Sequence, residues 1–143
     1  MSHSHDLALY AVTRNRELGI DLEHIRKDFA SHEIAQQFFS PREVARLRAL
    51  PLSMQTKAFF NCWTRKEAYI KATGKGLSLP LHQFDVSLVP GEPTLLLSTR
   101  ENPQEASRWT LRELKPGPGY VVALAVEGHD WRLDCWQWSN LAR

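Results

Sequence analysis

The segment WTRKEAYIKATGKGLSLPL, residues 63–81, sets one carboxylate, Glu67, among four cations: Arg65, Lys66, Lys71 and Lys75. In a helix Glu67 and Lys71 lie four apart on one face, in the favourable order for an ion pair. Lys66 projects from a different side. Two uses are open to such a cluster. One is a solvated helix face, where an exposed pair of this spacing contributes only about 0.3 to 0.5 kcal/mol. The other is recognition of a phosphate-rich ligand, with lysines as point charges on phosphate oxygens and the acid holding a bridging metal ion. A second acidic element, GIDLE at 19–23, has the two-residue period of an extended strand. Asp21 and Glu23 then share one face while Ile20 and Leu22 turn to the core. They are either solvated acids of an edge strand, or anions whose repulsion is relieved by a hard divalent cation such as Mg²⁺, which takes oxygen ligands. A third stretch, SHSHD at 2–6, offers His3 and His5 to a metal or a phosphate. On local evidence its default reading is a mobile terminal run.

The elements that must position these groups are legible from periodicity. LALYAV (7–12) and LGIDLE (18–23), separated by the polar TRNRE, predict a hairpin of two short strands. From Ser31 the pattern turns helical, with Ser31 as N-cap and Ile34, Ala35, Phe38 and Phe39 at helical spacing. Ser40, Pro41 and Glu43 mark the start of a further helix with a capping box, and Pro51 closes it. The segment from Ser53 to Gly74 is the longest helix, with Phe59, Phe60, Trp63, Tyr69 and Ile70 available for burial and Gly74 as its stop. FDVSLV, PTLLLST, RWTLREL, YVVALAV and WRLDCWQW then predict strands, with turns at 90–92 and 115–119. A hairpin, a helical block and a run of antiparallel strands make an α+β fold rather than a parallel doubly wound one.

Composition restricts the function classes. The 143 residues suit one domain, taken as 1–143, and the 43% apolar and 24% charged fractions are those of a globular chain. A formal charge of +2 gives no basic stripe for nucleic acid. The longest apolar run, YVVALAV, is too short to cross a bilayer, and MSHSHDLALY lacks the pattern of a secretory leader. Cys62 and Cys135, far apart and in apolar or aromatic settings, read as buried thiols of a reducing compartment, so the expected location is the cytoplasm.

Taken in order, SHS, a strand, GIDLE, about forty further residues, WTRKEAYIK and GKGLSLPL resemble the Sfp-type 4'-phosphopantetheinyl transferases. That family carries a Gly-(Ile/Val)-Asp-x-Glu motif and then a Trp/Phe-(Ser/Thr/Cys)-x-Lys-Glu-(Ala/Ser)-x-x-Lys motif, which residues 63–71 match at every defined position. The resemblance is strong from Ser2 to about Val89 and holds in outline beyond it. It implies an antiparallel sheet packed against a helical block, the single lobe of that fold. It also implies Mg²⁺-dependent transfer of the 4'-phosphopantetheine arm from coenzyme A to a serine of an acyl or peptidyl carrier protein, with release of 3',5'-ADP. Under it Asp21, Glu23 and Glu67 are metal ligands, and Glu67 and Lys71 are catalytic. His3, Lys66, Lys71 and Lys75 contact the coenzyme A phosphates. The carrier is expected on the helical block around Ile34 to Leu50.

Sfp-type chains are usually two similar lobes with the Ser-His-Ser motif near the middle, so this sequence resembles the second lobe. The shorter holo-acyl-carrier-protein synthases of the same superfamily are single lobes that assemble sites between subunits. A homo-oligomer is therefore expected if the chain is complete. The competing readings are a catalytically incomplete lobe that binds coenzyme A or a carrier protein, and another Mg²⁺-dependent phosphoryl transferase or nuclease. The last is disfavoured because Lys71 follows Glu67 by four residues on a helix, not by two on a strand.

Overall fold

The computed structural model describes residues 1–137, the side chain of Leu77 excepted. Elements run β1 (Ser2–Ser4), β2 (Leu7–Leu9), β3 (Leu18–His24), α1 (His32–Phe38), α2 (Pro41–Arg48), α3 (Leu52–Thr73), β4 (Phe84–Val86), β5 (Leu96–Thr99), α4 (Glu105–Arg108), β6 (Trp109–Leu114) and β7 (Tyr120–Glu127). Single 3₁₀ turns lie at Gly76–Ser78 and Leu81–Gln83. Every strand pair is antiparallel: β1 with β2, β4 with β5, and a three-stranded sheet in the order β3-β7-β6. The α+β expectation holds.

Helix boundaries follow from local chemistry. The Ser31 side chain accepts from the Ile34 amide, and Ser40 with Glu43 forms a complete capping box ahead of Pro41. Helix α3 ends where Gly74 takes the left-handed conformation, φ 71°, which a residue without Cβ adopts at little cost.

Two apolar layers sandwich the sheet. Residues directly opposite across an antiparallel pair share a face. Asp21 and Glu23 lie opposite Ala123 and Val121, so both acids look onto the face where Val121, Ala123, Ala125 and Leu111 meet α3 in the larger core. That core is completed by aromatic packing of Phe29, Phe38, Phe39, Phe59, Phe60 and Trp63. On the reverse face Ile20, Leu22, Val122, Leu124 and Val126 form a smaller cluster, covered by Leu7, Leu9, Trp131 and Leu133.

Three expectations are corrected. The hairpin joining residues 7–12 to GIDLE does not form: β2 turns back onto β1, and β3 pairs along all seven residues with β7. Strand β3 buries Ile20 and Leu22 on the same face as Val122, Leu124 and Val126 of β7, and gains more from that long apolar run than from a short neighbour. Residues 131–137 carry no strand. Trp131 and Leu133 insert side chains into the second cluster without a backbone ladder, and Trp138 lies outside the described residues. Of the two cysteines only Cys62 is buried, and Cys135 is exposed. No helix among the described residues is long and apolar enough to cross a membrane.

Candidate active site

The site is assembled where β3 crosses α3, and a glycine permits that crossing. A Cβ on Gly19 would stand 2.1 Å from the Ala68 carbonyl oxygen and 2.5 Å from the Ala72 nitrogen, so strand and helix touch main chain to main chain. Ala68 and Ala72, both fully buried, keep the helix surface flat beneath it. This contact brings Lys71 to β3, where its Nζ donates to Asp21 Oδ1 at 2.8 Å and to the Ile20 carbonyl at 3.2 Å. The helical spacing suggested Glu67 as partner for Lys71; the ammonium instead takes the buried acid of the neighbouring strand.

Asp21 is 4% exposed, and its second carboxylate oxygen, Oδ2, has no hydrogen-bond partner. Burial pushes its pKa up to about 7, with the charges of Glu23 and Glu67 adding to the rise and the hydrogen bond from Lys71 opposing it. Glu23 and Glu67 are also raised, again chiefly by burial. Glu23 feels the charge of Glu67 as well, and Arg26 approaches it at 3.9 Å. The charge of Glu67, on α3, thus makes ionisation of both Asp21 and Glu23 on β3 harder, and Glu23 adds to the effect on Asp21. An oxygen-seeking divalent cation would relieve that conflict and would give the orphaned Oδ2 a partner. Among the described residues no three acid, imidazole or thiol groups already stand at metal-holding spacing. The donor chemistry fits Mg²⁺, while the positive charge on Asp21 is the Lys71 ammonium.

Beside this cluster opens a cleft of about 400 Å³, lined by Glu67, Lys71 and His82 with Phe38, Ile70, Leu79 and Leu81. The remaining sequence-derived residues divide. His3 lies exposed in β1, between Ser2 and Ser4, which bond to β3. Lys75 is exposed, 3.7 Å from Glu101, and lines a different cleft with Tyr69, Glu105 and Arg108. It therefore does not join Glu67 and Lys71.

Lys66 is corrected outright. It is 1% exposed, with Nζ 2.8 Å from Glu43 Oε1, 2.9 Å from Glu43 Oε2 and 2.5 Å from the Phe84 carbonyl, over the Phe84 ring. An ammonium with these partners is sealed in the core and does not reach a phosphate. Arg65 is likewise inward, bonded to Glu113 and the Ser87 carbonyl. The ring of four cations around Glu67 reduces to Lys71.

Several contributors went unread in the sequence. Glu43 does more than cap α2: its carboxylate also binds Lys66 and the Val86 amide, tying α2, α3 and β4 together. Gly19 sets the helix–strand approach. Ser2 and Ser4, rather than His3 between them, hydrogen-bond to the backbone of β3; their two-residue spacing, equal to that of a strand's outward amides, is the available signal.

Comparison with known proteins bears on this arrangement. The 4'-phosphopantetheinyl transferase superfamily profile matches residues 17–125. The chain is 43% identical to 4'-phosphopantetheinyl transferase HetI of Nostoc sp. over 96% of its own length and 55% of that protein. It is 36% identical to 4'-phosphopantetheinyl transferase Sfp of Bacillus subtilis, over 84% of this chain and 51% of the other. The chain thus spans about half the length of these curated relatives. Among solved structures, the ACPS–CoA complex of Chronobacterium ammoniagenes superposes with a TM-score of 0.54 at 22% identity, covering 79% of this chain and 96% of that one.

Proposed function

From the premise that this chain belongs to the 4'-phosphopantetheinyl transferase superfamily, we propose that it moves the 4'-phosphopantetheine group of coenzyme A onto a serine of an acyl or peptidyl carrier protein. The observation that carries this reading is the buried, unpartnered Asp21 Oδ2, on the same strand face as Glu23 and within reach of the charge of Glu67, with Lys71 bonded to Oδ1 and an open cleft alongside Glu67 and Lys71. Asp21, Glu23 and Glu67 are the proposed Mg²⁺ ligands. When bound, the metal neutralises the pyrophosphate of coenzyme A and polarises its β-phosphorus.

This chain's own groups do the rest. Glu67, whose burial makes it a better proton acceptor than a solvated glutamate, takes the proton of the carrier serine hydroxyl. The serine oxygen forms the new bond to the β-phosphorus, and the bond from that phosphorus to the bridging oxygen breaks, releasing 3',5'-ADP. Lys71, its side chain 41% exposed, faces the charge that grows on the leaving oxygen. His3, exposed on β1, is the proposed contact for a coenzyme A phosphate. The apolar wall of the cleft, Phe38, Ile70 and Leu81, suits the uncharged part of the pantetheine arm. The α1–α2 block beside it is the proposed carrier surface. Exposed Tyr10, Val12 and Trp136 favour self-association of the isolated chain, and a monomeric mass by light scattering would count against it.

Incubation with coenzyme A, Mg²⁺ and an apo carrier protein should add one phosphopantetheine arm to the carrier's mass, and omission of Mg²⁺ should prevent the gain. A second reading is favoured by the half-length match to the relatives: a lobe that binds coenzyme A without completing transfer. Its signature is Mg²⁺-dependent thermal stabilisation by coenzyme A with no change in carrier mass. If neither mass gain nor stabilisation occurs, both readings fail.

A further inference from the structure

Strand β3, which carries Asp21 and Glu23, has β7 on one edge and, among the described residues, no strand ladder on the other. In an antiparallel strand the outward backbone groups come from every second residue, here Ile20, Leu22 and His24. Side chains take them. The Ile20 carbonyl accepts from Lys71 Nζ at 3.2 Å, the Leu22 amide donates to Ser2 Oγ at 3.0 Å, and the His24 amide donates to Ser4 Oγ at 2.9 Å. Two hydroxyls two residues apart on β1 thus stand in for the carbonyls of a partner strand, in step with the two amides that flank Glu23. The donor strand is itself held: β1 pairs with β2 in the register Ser2–Leu9, His3–Ala8 and Ser4–Leu7, and the His5 ring stacks on His24 at 4.4 Å. Ser2 is 7% exposed, so the Leu22 amide has no water to turn to if the hydroxyl is removed. Because Ser2 and Ser4 face β3, the intervening His3 projects the other way.

We propose that Ser2 and Ser4 are positioning residues: a side-chain clasp that locks the Leu22–His24 stretch of β3 so that Glu23 stays aligned with Asp21 and with Glu67 across the site. Lys71 grips the same edge one step earlier, so the clasp and the lysine together hold the acids from the side that β7 does not reach. The functional half of this assignment rests on the transferase reading; the structural half does not.

The test uses the full chain with Ser2→Ala, Ser4→Ala, the double variant, and Ser4→Thr, which keeps the hydroxyl. Amide hydrogen exchange should accelerate at least tenfold at Leu22 and His24 in the double variant, with Val121 to Ala125 of β7 unchanged. The Mg²⁺ concentration giving half-maximal thermal stabilisation should rise several-fold, and Ser4→Thr should return both readouts toward wild type. In the transfer assay the Mg²⁺ requirement should shift in parallel. Unchanged exchange at Leu22 and His24 overturns the clasp. Uniform acceleration across β7 and α3 overturns local positioning in favour of general destabilisation, and an unshifted Mg²⁺ midpoint overturns the link to the acids. If wild type transfers nothing, the transferase reading falls, while the exchange and Mg²⁺ measurements still decide the clasp.

Discussion

Replacing Gly19 by alanine puts the main-chain crossing of β3 and α3 to a direct trial. The new methyl carbon would lie 2.1 Å from the Ala68 carbonyl oxygen and 2.5 Å from the Ala72 nitrogen. Both neighbours are backbone atoms inside a helix, so no rotamer change relieves the overlap. Helix and strand must separate by about 1 Å, in a core packed too densely to absorb that locally. Overpacking of this kind costs about 1 to 3 kcal/mol. With a urea slope of roughly 1 to 3 kcal/mol per molar for a protein this small, the unfolding midpoint should fall by roughly 1 M. The same displacement carries Glu67 and Lys71 away from Asp21, stretching a contact that is now 2.8 Å. Misplacement of about 1 Å at a reacting centre costs on the order of a hundredfold in turnover. Urea unfolding followed by tryptophan fluorescence, together with carrier-mass kinetics on the folded protein, measures both effects. A wild-type midpoint would refute the steric argument. A lowered midpoint with undiminished turnover would refute the claim that this contact places the site.

Glu67→Gln should leave the urea midpoint within error of wild type and abolish phosphopantetheine transfer; persistent turnover would remove Glu67 from its proposed roles. Glu43→Ala should destabilise by about 3 to 5 kcal/mol, because it strands the Lys66 ammonium in the core. The double change Glu43→Leu, Lys66→Met should cost much less than the two single losses together, and an additive result in the urea-unfolding cycle would argue against the buried pair. For Asp21 the folded pKa of about 7 lies above the ordinary 3.8, so the folded state holds a proton that the unfolded chain has released. That contribution is complete below the unfolded pKa and is lost as pH rises through the folded one, a span worth roughly 4 kcal/mol at most. In metal-free buffer the stability of Asp21→Asn should therefore gain on wild type as pH is raised from 5 to 8. A gap that stays constant with pH would contradict the buried, repelled carboxyl.

Legibility in the sequence tracked the range of the interactions. The starts of α1 and α2 and the end of α3 were readable because Ser31, the Ser40–Glu43 box and Gly74 act within a few residues of themselves. Asp21 and Glu23 were correctly assigned to a shared strand face, and the period of two could say no more; it was the pairing with Val121 and Ala123, about a hundred residues away, that turned this face toward α3. Lys66 was misread for the same reason. Its neighbours in sequence are polar or charged, but its partners are a carboxylate on α2 and a carbonyl on β4, and only tertiary packing shows that it points inward. The expected hairpin failed because alternation identifies a strand without naming its neighbour. Gly19 illustrates the limit most plainly, since a glycine required by the approach of a distant helix has the same letter as one that only eases a turn.

The side-chain occupancy of the outer edge of β3 also bears on how the folded chain behaves in a crowd. A bare strand edge is a template on which another polypeptide can add itself, and β3, rich in apolar side chains, would be an inviting one. With Lys71, Ser2 and Ser4 seated on the backbone groups of Ile20, Leu22 and His24, an incoming strand must first evict them. The contacts that present the acids thereby guard the chain against edge-to-edge assembly. Any peptide that did capture this edge would displace Lys71 from Asp21 as it docked, and so would be a competitor of the site without entering the cleft.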